Sequence, residues 1–124
     1  MKKASEILRE TKEFLMEHGW CTGSYQHDEY DGDAWEGAGE VFQTTYCVMG
    51  AYGMVMNQDS HSYEAKGPSY QLMLPTHPLR CLWETMGRPE TIEGWNDASG
   101  RTFGEVCDVF DGAEKLALVR EETL

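Results

Sequence analysis

Apolar residues recur at helical spacing in three stretches of the chain and crowd together without spacing in a fourth. Over residues 5–18, Ile7, Leu8, Thr11, Phe14, Leu15 and His18 fall on one helix face, while Glu6, Arg9, Glu10, Lys12, Glu13 and Glu17 fill the rest. Ser5 fits an N-cap and Gly19 a left-handed C-cap, with Trp20 as an apolar anchor just beyond. A second periodic stretch starts at Thr76, a candidate cap, with Pro78 in the first turn. It runs through Leu79, Leu82, Trp83 and Met86 to Gly87, and Arg88-Pro89 ends it. A third uses Phe103, Val106, Val109, Phe110, Ala113, Leu116 and Ala117. It opens on the capping box Thr102-Phe103-Gly104-Glu105. Residues 119–124 are expected to fray.

The fourth stretch, residues 41–56, is apolar on nearly every side, with Gly50, Ala51 and Gly53 interrupting it. A central helix with a small-residue face is the expected form, although each glycine costs up to about 1 kcal/mol of helix propensity. Residues 22–40 hold Gly23, Gly32, Gly37 and Gly39 among six acids and carry no apolar stripe, so they read as a loop. The expected fold is mainly α: a compact single domain over residues 1–124, about four helices, with a long acidic Gly-rich loop between the first two.

Charge sharpens this picture. The chain has 124 residues and a formal net charge of −12. No Lys or Arg occurs between Glu13 and Ala65, a window with ten acids: Glu13, Glu17, Asp28, Glu29, Asp31, Asp33, Glu36, Glu40, Asp59 and Glu64. Direct nucleic-acid binding, which needs clustered Lys and Arg, is not expected. No apolar run approaches the roughly 18–20 residues of a membrane span. Met1-Lys2-Lys3 is followed by no apolar core of a secretory signal, so a cytoplasmic location is expected. There, Cys21, Cys47, Cys81 and Cys107 would be reduced thiols.

Candidate chemistry is sparse. His27-Asp28-Glu29-Tyr30-Asp31-Gly32-Asp33 has the acid density of a calcium loop. With Gly32 at the sixth position, however, the first and twelfth positions fall on His27 and Ala38 rather than on ligands. The cysteines lack zinc-site spacing, and neither a metal nor a cofactor is expected. Cys47 as a nucleophile would need a base such as His27, His61 or His77, and the negative surroundings would raise its pKa. At Trp95-Asn96-Asp97, an ion pair between Asp97 and Arg101 is expected across the turn. Asn96 would satisfy backbone groups and Trp95 would plug the core.

Three ordered motifs carry a resemblance. They are Trp20-Cys21-x-Gly23, Cys47-x-x-Gly50-Ala51, and Trp95-Asn96-Asp97-x-x-Gly100-Arg101-Thr102-x-x-Glu105-Val106. Together, over roughly residues 5–118, the chain resembles an uncharacterised family of small bacterial and bacteriophage proteins, a domain of unknown function. The resemblance implies a compact, mainly helical domain and assigns no catalytic residue. It suggests a phage or bacterial accessory factor, made in the host cytoplasm if phage-encoded.

Two functions compete. In the first, a non-enzymatic protein meets a basic host protein through Tyr30, Asp31, Asp33, Trp35 and Glu36, with Tyr25 as a further exposed anchor, because opposite fields steer association. In the second, a small ligand-binding or Cys-dependent enzyme domain uses Cys21, Cys47, Asn96, Asp97 and Arg101. A homo-oligomer through Met49, Met54, Met56, Met73 and Met86 is a further expectation.

Overall fold

The computed structural model describes residues 2–30, 41–61, 63 and 70–123. The first periodic stretch forms α1 (Ala4–His18), which buries Ile7, Leu8, Thr11 and Leu15. Lys3 occupies its cap position without a side-chain cap. Ser5 lies inside the helix because another segment caps it: the backbone N–H and hydroxyl of Ser5 both donate to Glu121, at 2.9 Å each. At the far end Gly19 adopts φ +108, where a side chain would be strained, and its N–H closes the helix on Leu15.

Two strands follow where a loop and the start of a helix were expected. β1 (Gln26–Tyr30) pairs antiparallel with β2 (Val41–Tyr46), with a register shift between Glu29 and Tyr30. The sequence Val-Phe-Gln-Thr-Thr-Tyr is rich in β-branched and aromatic residues, and this local preference prevails over the helical reading of residues 41–46. β1 has no apolar alternation of its own and is strand by virtue of its partner. Asp28 accepts from the Thr44 hydroxyl across the ladder at 2.9 Å. The acidic loop expected over residues 22–40 is thus strand at 26–30, and residues 31–40 lie outside the described residues.

The helix of the apolar stretch begins only after Cys47. α2 (Val48–Asn57) has Cys47 as its N-cap, the thiol sulfur accepting from the Gly50 N–H at 3.3 Å. A 3-10 turn at Tyr70–Leu72 leads to α3 (Pro78–Thr85), capped by His77 rather than by Thr76. The ring nitrogen of His77 accepts from the Leu79 N–H, which a proline at the first helical position leaves as the nearest free donor. A short α4 (Ile92–Asn96), capped by Thr91, precedes the long α5 (Phe103–Thr123). The capping box forms as expected: Glu105 N–H donates to the Thr102 hydroxyl and Thr102 N–H to the Glu105 carboxylate.

The fold is mainly helical, with five α-helices among the described residues rather than about four, plus the two-stranded sheet. α5 lies along α1 and α3, and α1 also packs on α2. Leu8, Leu15, Val48, Tyr52, Leu82, Ile92, Val106 and Phe110 fill the core between them. The tail expected to fray from residue 119 is helical through Thr123. Arg120 holds it, donating to the Pro75 carbonyl and to Glu84 at 2.6 Å. Arg80 and Arg88 also reach Glu84, at 3.2 Å each. The hydrogen bond from Arg120 is the main cause that holds the Glu84 carboxyl below its ordinary range. Met49 is buried and Met54, Met73 and Met86 pack against the core, so the methionines do not form one exposed face.

Candidate functional site

α4 is only five residues long, yet it organises the region. Its last residue, Asn96, is fully buried and bonded on every side. The carboxamide oxygen accepts from the Trp20 indole at 2.7 Å and from the Val48 N–H at 3.1 Å. The amide nitrogen donates to the Cys21 carbonyl at 3.1 Å and to Asp97 at 2.9 Å. One side chain thereby joins the segment after α1, the start of α2 and the end of α4. Asp97 extends the joint by accepting from the Gly23 N–H at 2.9 Å. The three segments that carry the family resemblance therefore meet at one place.

Close approach of backbone to backbone completes the arrangement. The Cys47 N–H donates to the Tyr25 carbonyl at 3.3 Å. That carbonyl lies so near α2 that a Cβ on Gly50 would sit 1.9 Å from its oxygen. Only glycine fits there.

Between these elements lies a cavity of about 130 Å³, lined by Gly23, Ser24, Tyr25, Cys47, Glu93 and Asp97. Glu93 lies on α4 and Asp97, four residues on, is its C-cap, and both line the cavity. The Tyr25 hydroxyl donates to Glu93 Oε2 at 3.0 Å. The other oxygen, Glu93 Oε1, is buried and has no hydrogen-bond partner among the described residues. The Tyr25 ring packs edge-on against His61, with 5.5 Å between centroids.

Of the residues singled out from the sequence, the cavity takes in Cys47 and Asp97. Cys21 lies just behind it, its thiol donating to the Ser24 carbonyl. Asn96 is the strut beneath. Arg101 is elsewhere. Instead of pairing with Asp97 it donates to the Trp95 carbonyl and to Glu105, each at 2.9 Å, and its guanidinium lies 3.8 Å over the Trp95 ring. Glu105, in the first turn of α5, and the Trp95 carbonyl take the guanidinium in place of the expected turn pair. Trp95 is half-buried and packs against the core, with Arg101 over its ring. Tyr30 ends β1, and its side chain, like Asp31, Asp33, Trp35 and Glu36, lies outside the described residues. Tyr25 is half-buried at the cavity rather than exposed. Sequence reasoning missed Glu93 altogether. Its spacing from Asp97 was the available signal, but it counts only once residues 92–97 are known to be helical.

The chemistry open to this site follows from its charges. Burial pushes the Cys47 thiol up to about 11 from its ordinary value near 9, and the nearby Cys21 and Asp97 add to the rise. The Gly50 N–H acts in the other direction and does not offset burial. A thiol held this far up is about 0.1% thiolate at pH 8, too little for a nucleophile. Among the described residues no group of three or more His, Cys, Asp or Glu could hold a metal ion. The site is suited to hydrogen bonding and to charge.

One prediction follows for the thiol. In the native protein at pH 8, Cys47 should react with iodoacetamide at least tenfold more slowly than the half-exposed Cys21, as read by mass mapping of the labelled peptides. The folded state also holds the Cys47 proton more tightly than the unfolded chain does. The stability this contributes is complete below about pH 9 and is lost as pH rises toward 11. Equal labelling of the two thiols would contradict the burial of Cys47.

No helix among the described residues is long and apolar enough to cross a membrane. No curated protein and no solved structure matches the chain. A family model covering residues 1–116 does match, and the chain belongs to that family, DUF6197, a family of unknown function.

Proposed function

We propose that the protein is a non-enzymatic binding module whose acidic front half meets the basic surface of another protein, a host protein if the chain is phage-encoded. The observation that supports this reading is where the arginines of the back half go. Arg80, Arg88 and Arg120 gather on Glu84, and Arg101 sits on Glu105. These arginines pair with acids of their own half, so the negative field expected of the front half is not spent on them. Such a field accelerates encounter with a positively charged partner and weakens with salt. The competing reading, a Cys-dependent enzyme, needs a thiolate that the burial of Cys47 opposes.

The test is a pull-down from bacterial lysate with the full chain as bait, at 50 and 300 mM NaCl. A variant with Asp28, Glu29, Asp31, Asp33, Glu36 and Glu40 all changed to Asn or Gln serves as the control. The expected result is a basic protein retained by the wild type at low salt, reduced at least tenfold at high salt, and not retained by the variant. A partner whose retention ignores both salt and the substitutions would overturn the reading.

A further inference from the structure

We infer that the apolar groove between the first turns of α1, the C-terminal end of α2 and the segment leading into α3 binds a small monocarboxylate with a straight aliphatic tail, its carboxylate received by donor groups of the groove wall. The inference does not draw on the basic-partner reading and uses different residues.

The groove holds about 800 Å³, the size of a site for a small organic molecule. Ile7, Tyr52, Met56, Leu74, Pro75 and Pro78 make most of its wall apolar. Met56 and Leu74 stay 40% and 73% exposed, an apolar surface that an occupant would cover. A further hollow of about 290 Å³ shares Lys2, Ile7 and Met56 with the groove and reaches Val55 and Glu10, which gives a tail room along α1. The polar groups of the wall decide the head. Tyr52 is 2% exposed, and its hydroxyl makes no hydrogen bond among the described residues. That oxygen is not sealed in. Among the described residues only Glu93 Oε1 is both unpartnered and cut off from solvent, so the Tyr52 hydroxyl keeps open surface, and Tyr52 stands in the wall of the groove. It is left to be partnered by what enters there. His77, in the same wall, supplies a second donor. Its Nδ1 accepts from the Leu79 N–H, which leaves the ring proton on Nε2, and burial lowers its pKa so that the ring is neutral at pH 7. Lys3, in the cap position of α1, makes no ion pair among the described residues. The acceptors are committed elsewhere: both oxygens of Glu121 take bonds from Ser5, and Glu10 takes the Lys2 ammonium at 2.8 Å. In a chain of net charge −12, this wall therefore offers open donors and a free positive charge. A carboxylate head meets both, whereas a cationic head would face Lys3 and find the carboxylates already bound.

The test titrates the full chain, labelled with 15N, with octanoate, and with hexanoate, octanol and octylamine for comparison. Octanoate should shift the amide signals of Ala4, Ile7, Met56 and His77 in a saturable manner. Hexanoate, two methylenes shorter, should bind about tenfold more weakly, since each buried methylene is worth about fourfold. Octanol and octylamine carry the same tail without the carboxylate, and each should bind about tenfold more weakly as read at these signals. Tyr52→Phe removes only the hydroxyl and Lys3→Gln only an exposed charge, and each should weaken octanoate about threefold. Leu74→Glu puts a negative charge at an exposed position of the wall and should abolish saturation, which keeps the inference falsifiable if Tyr52→Phe fails to fold. Equal binding of octanoate, octanol and octylamine, or shifts that rise linearly, would reduce the groove to a non-selective apolar surface and overturn the inference. Groove signals that move with protein concentration alone and ignore octanoate would identify a second copy of the chain as the occupant and overturn it as well. Saturable, carboxylate-selective binding with no basic protein retained in the pull-down would leave this inference standing while the surface reading falls.

Discussion

Replacing Asn96 by leucine is expected to lower the free energy of unfolding by about 4 kcal/mol, a large part of the stability of an ordinary domain. Leucine has nearly the same volume, so the loss would come from hydrogen bonds rather than from a cavity. It would leave the Trp20 indole N–H, the Val48 N–H and the Cys21 carbonyl without their partner, and each buried orphan costs about 1–3 kcal/mol. The three segments would also lose their common joint, so the effect should exceed that of any single severed bond. Urea denaturation followed by tryptophan fluorescence measures it, since Trp20 is itself one of the partners. A loss below about 1 kcal/mol would show that water replaces the carboxamide and that Asn96 is not the strut described above.

Gly50→Ala should be almost as damaging, by about 3 kcal/mol, although alanine is the better helix former. The added methyl carbon would meet the Tyr25 carbonyl oxygen at 1.9 Å, a distance no rotamer change relieves because both groups are backbone. Relief requires the Tyr25 segment to move away from α2, which would break the bond from the Cys47 N–H and open the cavity. The same substitution at Gly104, where the added methyl would meet only the Thr102 hydroxyl at 3.8 Å, is the comparison for propensity alone. Unfolding by urea, with the Tyr25 and Cys47 amide signals as local reporters, distinguishes a displaced segment from a uniformly weakened fold. A neutral or stabilising Gly50→Ala would contradict the close approach.

The helices were legible where period and punctuation agreed. Residues 5–18 and 103–117 carry an apolar face at the 3.6-residue repeat, and Thr102 with Glu105 marks the second start in the sequence itself. The hairpin was not, for a physical reason. Gln26-His27-Asp28-Glu29-Tyr30 has no strand signature, and it becomes a strand only because Val41–Tyr46 presents an edge to it. Pairing across a separation in sequence leaves no local trace. The site was legible in part. Asn96 could be expected to satisfy backbone groups, because a carboxamide between Trp95 and Asp97 suits that task. Which backbone groups, and from which segments, depends on how α1, α2 and α4 converge. Glu93 and Tyr25 were invisible as a pair because 68 residues separate them. Arg101 illustrates the opposite error, a short-range pairing that was sterically reasonable and lost to a better one a turn further on.

The two bonds from Ser5 to Glu121 also bear on how the protein is made. The opening turn of α1 borrows its cap from the last turns of α5, beyond residue 116 where the family match ends. During synthesis, α1 therefore emerges with its leading amides solvated, and it gains its final restraint only once Glu121 has been made and α5 has packed against it. The start of α1 and the last turns of α5 therefore close on one another like a clasp, and loosening either one loosens both.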